Sequence, residues 1–202
     1  MRKIPSVFKR DYDTGRLIDE VTPGCEWVLA GEGVATVKWD GTCCLVRDGK
    51  LYRRHDRKPR KGRRNDGPPF TAAMAKDAPP NWEPCQDAPD AHTGHWPGWI
   101  PVGDGPEDKW YREPFDGPPD LSDGTYELVG PKINGNPGAW PVHCFIPHGA
   151  QEAGVDEERD FLHTRVRLAS LPHEGIVYHH SDGRMAKVKR RDFGLAWPLE
   201  GT

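Results

Sequence analysis

The sequence lacks the features of a secreted or membrane-anchored protein. Its 202 residues include five cysteines, an odd number without a Cys-x-x-Cys pair, and Cys43 and Cys44 are adjacent. No apolar run approaches the roughly 20 residues that span a bilayer, and the first residues carry no apolar leader. We therefore expect reduced thiols rather than a disulfide scaffold, and a cytoplasmic protein without a signal peptide or membrane anchor.

The sequence also lacks an excess of positive charge. The formal net charge is -3 and the pI is near 6.3. Proteins that bind polyanions usually carry a basic balance, so any such surface must be local here. The only dense positive segment is RRHDRKPRKGRR, residues 53–64.

Short apolar runs bounded by turn residues predict strands. The runs cover residues 26–30, 34–39, 42–47, 51–54, 125–129, 142–146, 175–178 and 184–188. Asp48-Gly49 predicts a tight hairpin between the third and fourth runs. The pattern is typical of a strand-rich α+β fold.

One helix is predicted between residues 156 and 170. Asp156 is placed to cap its first turn. The expected inward stripe consists of Phe161, Leu162, the stem of Arg165, Val166 and Ala169.

The chain length suits a single domain over residues 1–202. Between residues 57 and 123 the periodic pattern gives way to proline, glycine, charge and tryptophan. This composition predicts a long loop insertion, ordered where its tryptophans can pack.

The stretch VATVKWDGTCCLV, residues 34–46, places Lys38 where a predicted strand meets a glycine turn. Such a lysine can present its amine at the floor of a pocket, as a nucleophile requires. A free lysine has a pKa of ~10.4, so a nucleophilic amine needs nearby cations that disfavour the ammonium form. Lys187 and Lys189 alternate in MAKVKRRD and would share one face of an extended segment.

The same lysines are suited to bind phosphate. Glu127 in YELVG and Glu174 in HEGIVYHH are carboxylates at the ends of predicted strands. One could bind a sugar hydroxyl and the other a metal ion, since Mg²⁺ takes few protein carboxylates. Asp40 either orders Lys38 or the ion, or is a plain Asp-Gly turn former.

In this order, these residues resemble the covalent nucleotidyltransferase superfamily of polynucleotide ligases and capping enzymes. Lys38-Trp39-Asp40-Gly41 is similar to its motif I, KxDG, and Arg54 to motif Ia. Glu127 is similar to the acid of motif III and Glu174-Gly175 to motif IV. Lys187-Val188-Lys189 is similar to motif V, KxK.

A closer resemblance covers nearly the whole chain. KWDGTCC, HDRKP, PGWIPV, ELVG with INGNP, IPHGA, EGIVYHHSDG and GLAWP are similar to the RNA ligase 1 family of vertebrate ATP-dependent 5'-3' RNA ligases. Many DNA ligases carry arginine five residues after the motif I lysine, where this chain has Cys43. This departure agrees with the closer family.

The resemblance implies a nucleotidyltransferase (ligase adenylation-domain) fold, with two antiparallel sheets and flanking helices around a nucleotide pocket. It implies ATP, a lysine-AMP intermediate and Mg²⁺ or Mn²⁺, with transfer of AMP to an RNA 5'-phosphate and sealing by a 3'-hydroxyl. The chain ends soon after motif V, so no OB-fold domain is expected.

The implied roles fall on individual residues. Lys38 would be the nucleophile, Arg54 and Glu127 ribose contacts, Glu174 the metal-side acid, and Lys187 and Lys189 phosphate contacts, with Asp40 as a further catalytic candidate. The adenine would lie against residues 142–146, with the choice between Phe145 and Ile146 open.

Several alternatives remain at this point. A capping-type guanylyltransferase would use GTP, and a non-catalytic nucleotide-binding or RNA-binding module would keep the fold alone. The basic segment 53–64 is either a solvated loop or a surface for RNA phosphates or the leaving pyrophosphate.

Overall fold

The computed structural model describes residues 1–11, 13–60, 68–116, 121–154 and 158–199. Within these ranges the strands are β1 (Phe8–Arg10), β2 (Leu17–Val21), β3 (Val34–Lys38), β4 (Thr42–Arg47), β5 (Lys50–Arg57), β6 (Glu83–Pro84), β7 (Trp96–Pro101), β8 (Gly124–Val129), β9 (Cys144–Pro147), β10 (Gly175–His179) and β11 (Met185–Lys189). The α-helices are α1 (Glu26–Leu29), α2 (Lys109–Phe115) and α3 (Phe161–Ser170), and 3₁₀ turns span Ala72–Met74, Pro106–Asp108 and Arg190–Phe193. The predicted α+β class with antiparallel sheets is confirmed.

The chain divides into two compact units. The six-stranded unit contains Met1–Lys3, Thr42–Leu128 and His143–Phe145. The three-stranded unit contains Ile4–Gly41, Val129–Val142 and Ile146–Thr202. A single nucleotidyltransferase domain around a nucleotide pocket stays a prediction.

The six-stranded unit is built on a sheet with the order β6-β7-β5-β4-β8-β9. Its β4–β5 hairpin turns at Asp48 and Gly49, whose φ values of 53° and 66° confirm the predicted tight turn. β7 pairs with β5 along its whole length, from Trp96 to Pro101. It lies in the stretch for which the sequence predicts loops, because its two prolines and one glycine hide the strand pattern.

The three-stranded unit is built on a sheet with the order β11-β10-β3. Its core face carries Ala35, Val37, Ile176, Tyr178, Ala186 and Val188, all buried. Residues 5–7 run beside Lys187 on β11, and residues 151–153 run beside β3. Both edges of the sheet are therefore covered.

The N-terminal strands β1 and β2 form a separate two-stranded sheet, where the family resemblance implies only two sheets. Phe8 of β1 is buried and contacts Phe161 edge to face, with ring centroids 5.1 Å apart. Val7 and Phe8 belong to the core of this unit. Strand β1 of the small sheet therefore packs against the core of the three-stranded unit.

The strand predicted over residues 26–30 is wrong. Residues 26–29 form the short helix α1 instead. Both Trp27 and Val28 are buried, which a helical turn permits and a one-sided strand does not, since neighbouring residues of a strand point to opposite faces. Short apolar runs do not distinguish the two structures by period.

A helix is confirmed in the predicted region, but it begins at Phe161 rather than near residue 156. Its predicted inward stripe is wrong except for Phe161, which packs against the core. Thr164 and Leu168 are buried, whereas Leu162 and Val166 are 62% and 60% exposed. The polar Thr164 conceals the true core face in the sequence. Asp160 caps the helix by accepting hydrogen bonds from the backbone N–H groups at positions 162 and 163. The predicted cap, Asp156, lies outside the described residues.

None of the helices in the described ranges is long and apolar enough to cross a bilayer. All five cysteines are free thiols, as predicted.

Candidate functional site

Strand register in the three-stranded unit brings three lysines to one face of the sheet. Gly175 on the central strand pairs with Lys38 on one side and with Lys189 on the other. Val177, two residues along, pairs with Lys187. Residues opposite one another in paired strands share a face, so the lysines lie on the side away from the core.

Gly175 is required between these lysines. A Cβ built on Gly175 would lie 2.1 Å from the carbonyl oxygen of Val188 and 3.0 Å from the Cα of Lys189. β10 and β11 can therefore approach this closely only because position 175 has no side chain.

Glu174, directly before β10, is buried and pairs with the candidate nucleophile. Its Oε2 accepts a hydrogen bond from Lys38 Nζ, and its Oε1 lies 4.0 Å from Lys189 Nζ. Lys189 Nζ also lies 3.9 Å from Asp192 Oδ1, which is 2.8 Å from Arg10. The site therefore alternates cations and carboxylates at one end of the sheet.

Lys187 is a partly buried cation of this group with a perturbed pKa. Burial lowers its pKa to about 8, and the positive charges of Lys38 and Lys189 act in the same direction. Glu174 and Asp192 oppose the shift. Lys187 therefore loses its proton at a pH near 8, and neighbouring charges change the pH at which this happens.

Asp40 is fixed by hydrogen bonds to both of its carboxylate oxygens. Asn134 Nδ2 donates to Oδ1 at 3.1 Å, and Trp197 Nε1 donates to Oδ2 at 2.7 Å. The same amide of Asn134 donates to the carbonyl oxygen of Gly41 at 2.6 Å. The turn after Lys38 is thus held by two segments distant in the chain.

Two aromatic rings contact Trp39, the residue that follows the candidate nucleophile. Trp39 contacts Trp140 edge to face at 5.4 Å and the ring of His173 at 6.2 Å. Burial lowers the pKa of His173, and the charges of Arg167 and Arg190 lower it further.

Three residues of this site have no role predicted from the sequence. Asp192 lies three residues after Lys189, while Asn134 and Trp197 lie in INGNP and GLAWP. INGNP and GLAWP are among the sequence segments that are similar to the RNA ligase 1 family. This similarity is the signal in the sequence that could have pointed to Asn134 and Trp197.

The six-stranded unit brings Arg54, Cys43 and Glu127 into one row. Cys43 pairs with Glu127 across β4 and β8, and the register between β4 and β5 places it beside Arg54. Arg54 Nε donates to Asp56 Oδ1 at 2.7 Å, and its guanidinium donates to the carbonyl oxygen of Met1 at 3.0 Å. The two predicted ribose contacts therefore flank the cysteine that replaces the arginine of DNA ligases.

Cys43 stands in this row as a neutral thiol. Burial raises its pKa to about 12, and the negative charge of Glu127 adds to the shift, while Arg54 opposes it. An arginine at this position would place a second guanidinium next to that of Arg54.

Among the adenine candidates, Phe145 and Ile146 are neighbours on β9 and are both half-buried. Phe145 contacts Tyr126 edge to face at 6.1 Å. Adjacent strand residues point to opposite faces, so no more than one of the two can face a common pocket. The choice between them stays open.

Comparison with known proteins places the chain in one family. A family model described as RNA ligase 1 matches residues 117–202. RNA ligase 1 of Pongo abelii and of Mus musculus are each 32% identical to this chain, over 100% of it and 83% of the relative. RNA ligase 1 of Danio rerio is 29% identical over the same shares. With identity at this level across its whole length, the chain belongs to the RNA ligase 1 family.

Proposed function

We propose that the protein is an ATP-dependent RNA ligase that works through a lysine-AMP intermediate at Lys38. Its relatives carry the name RNA ligase, and membership of their family supports the same activity here. The observation that carries the proposal is the cluster of Lys38, Glu174, Lys187 and Lys189 at one end of a sheet.

In the first step, Lys38 Nζ attacks the α-phosphorus of ATP. A phosphorus–nitrogen bond forms, the bond from the α-phosphorus to its bridging oxygen breaks, and pyrophosphate leaves with the electron pair. An ammonium has no lone pair, so Lys38 must first lose a proton. Glu174 Oε2, which accepts a hydrogen bond from Lys38 Nζ, is the group placed to receive it.

Lys187 and Lys189 supply positive charge at the α-phosphate. Attack builds negative charge on the phosphate oxygens, and fixed cations that meet this charge lower the barrier. Both lysines project from β11, whose backbone is held by pairing with β10. They therefore act from rigid positions, which in-line transfer requires.

A divalent cation fits this site. Mg²⁺ binds through one or two carboxylates and keeps water and phosphate as its other ligands, and Glu174 offers one carboxylate beside the lysine cluster. When bound, such an ion supplies further positive charge beside the phosphate. Glu174 would hold the ion as a carboxylate, after releasing to solvent the proton that it takes from Lys38.

In the later steps, AMP passes from Lys38 to the 5'-phosphate of RNA, and a 3'-hydroxyl attacks the activated phosphate. The strand is sealed and AMP is released. Arg54 and Glu127 stay predicted ribose contacts. We also propose that the protein acts in the cytoplasm, in repair of RNA ends.

The adenylation step is tested by intact-mass measurement after incubation with ATP and Mg²⁺ or Mn²⁺. The wild type is expected to gain one AMP and Lys38→Ala none. Lys9→Ala serves as a matched control, because Lys9 is an exposed strand lysine paired with Glu20. An adduct on Lys38→Ala, or none on the wild type, contradicts the proposal.

Two further assays decide the nucleotide and the polymer. Labelling from GTP but not from ATP would indicate a capping-type enzyme instead. Joining of 5'-phosphorylated RNA, compared with DNA of the same sequence, tests the substrate class. A protein that forms the adduct but joins neither polymer would not be a ligase by itself.

A further inference from the structure

We propose that Asn134 and Trp197 are positioning residues that hold the turn after the nucleophile through the side chain of Asp40. We call these three residues the Asp40 clasp. The inference rests on the proposed adenylation of Lys38 and adds two residues to that site. In this proposal Asp40 acts by accepting the hydrogen bonds that hold the turn in place.

The clasp satisfies both oxygens of one carboxylate. Trp197 Nε1 donates to Oδ2 at 2.7 Å, and Asn134 Nδ2 donates to Oδ1 at 3.1 Å. Asn134 also reaches the backbone carbonyl of Gly41 at 2.6 Å. Hydrogen bonds to a charged acceptor are stronger than neutral ones, so this geometry restrains the turn at two consecutive residues.

The Asn134 side of the clasp comes from a folded turn. The backbone N–H of Ile133 donates to Gly130 at 3.0 Å, and that of Asn136 donates to Ile133 at 2.7 Å. Ile133 is buried, which fixes the turn to its unit. Asn134 has a φ of 46°, a left-handed conformation that asparagine adopts more readily than most residues.

The Trp197 side is anchored by two arginines that follow β11. Arg190 Nε donates to the carbonyl oxygen of Ala196 at 2.9 Å, and Arg191 Nε donates to that of Trp197 at 3.0 Å. Arg190 is buried and also donates to Leu171 at 2.8 Å. Its backbone N–H donates to the carbonyl oxygen of Glu174 at 2.9 Å. The segment that carries Trp197 is therefore linked through Arg190 to Glu174, the ion-pair partner of Lys38.

Lys38 is the last residue of β3 and pairs with Gly175, so the chain that follows it is held by the turn. In-line attack requires the amine to be placed closely, and a shift of about 1 Å can slow a reaction by about 100-fold. Loss of the clasp should therefore slow the attack, while ATP affinity, which depends on other groups, changes less.

The test is the single-turnover rate of AMP adduct formation over a range of ATP concentrations. Trp197→Phe removes the donor but keeps an aromatic ring, and Asn134→Ala removes the amide. We expect each to lower the maximum rate about 10-fold, with less than about a 3-fold change in the ATP concentration for half-maximal rate. The double variant should fall to the rate of Asp40→Ala.

Trp82→Phe is the matched control, because it removes an indole donor that contacts the carbonyl oxygen of His55 at 3.0 Å in the six-stranded unit. It should keep the wild-type rate. Thermal unfolding of every variant above the assay temperature excludes simple loss of folded protein.

The clasp is overturned if the wild type forms the adduct and the double variant does so equally fast. It is also overturned if Trp82→Phe slows adenylation as much as Trp197→Phe, since any lost indole bond would then suffice. A wild type that forms no adduct defeats the proposed function itself, and the clasp with it, which is a distinct result.

Discussion

The amine of Lys38 and the carboxylate of Glu174 form an ion pair although 136 positions separate them in the chain. Pairing of β3 with β10 brings the two together, because Lys38 lies opposite Gly175. Their side chains are only 21% and 12% exposed. Ion pairs withdrawn from water interact more strongly than surface pairs, so this contact organises the site.

The variant Glu174→Gln tests the role of the carboxylate. Glutamine cannot take a proton from Lys38 and is a weak ligand for Mg²⁺, so the adenylation rate should fall at least about 10-fold. The measurement is adduct formation against Mg²⁺ concentration. Glu20→Gln, which neutralises an exposed carboxylate paired with Lys9, should have no effect. Equal rates for the two variants would contradict the assignment.

Lys187 should produce a pH-dependent stability difference. Burial, with the charges of Lys38 and Lys189, lowers its pKa from 10.5 to about 8. Below pH 8 both folded and unfolded chains hold the proton, and the folded chain bears the unfavourable buried charge. Between pH 8 and 10.5 only the unfolded chain binds the proton, so stability rises with pH.

The comparison is the free energy of urea unfolding of wild type and Lys187→Met, measured from pH 7 to pH 10. The wild type should gain about 1–3 kcal/mol relative to the variant as the pH rises through this window. Lys9→Met, at an exposed lysine, should show a constant difference. A relative loss of stability at high pH would show that the sign is wrong.

Gly175→Ala should destabilise the protein and displace the lysine cluster. The added Cβ would meet the Val188 carbonyl at 2.1 Å, which forces β10 and β11 apart. We expect a loss of about 1–3 kcal/mol or more in urea unfolding. Gly124→Ala is the matched strand control, since its Cβ would make only an ordinary contact of 3.8 Å with Tyr126. Similar losses for both variants would mean that strand propensity alone is responsible.

Cys43 should resist alkylation in the folded protein. Burial, with the charge of Glu127, raises its pKa to about 12, and the thiolate is the reactive form. Iodoacetamide at pH 8, followed by peptide mass mapping, should leave Cys43 unmodified while the urea-unfolded protein reacts fully. Rapid labelling of Cys43 itself in the folded chain would show that this thiol is not held in its neutral form between Arg54 and Glu127.

Sequence patterns predicted the strands that carry the candidate site residues better than they predicted β7. The strands that end or begin at Lys38, Gly175 and Lys189 lie within one residue of their predicted bounds, and β3 and β10 contain two or more β-branched residues. By contrast, β7 was missed because Pro97 and Gly98 interrupt its pattern. Pairing with β5 forms this strand, and a local pattern does not record such pairing.

The sequence by itself determined the α+β class, the hairpin at Asp48-Gly49, the free thiols and the family, because these depend on local period, turn chemistry and similarity. It also supplied Lys38, Glu174, Lys187 and Lys189 as candidates. Only the tertiary structure decided that Lys38 and Lys189 flank Gly175, that Glu174 contacts Lys38, and that Trp197 holds Asp40. These contacts join residues that are distant in the chain. Strand register and burial create them, and no short stretch of sequence specifies either one alone.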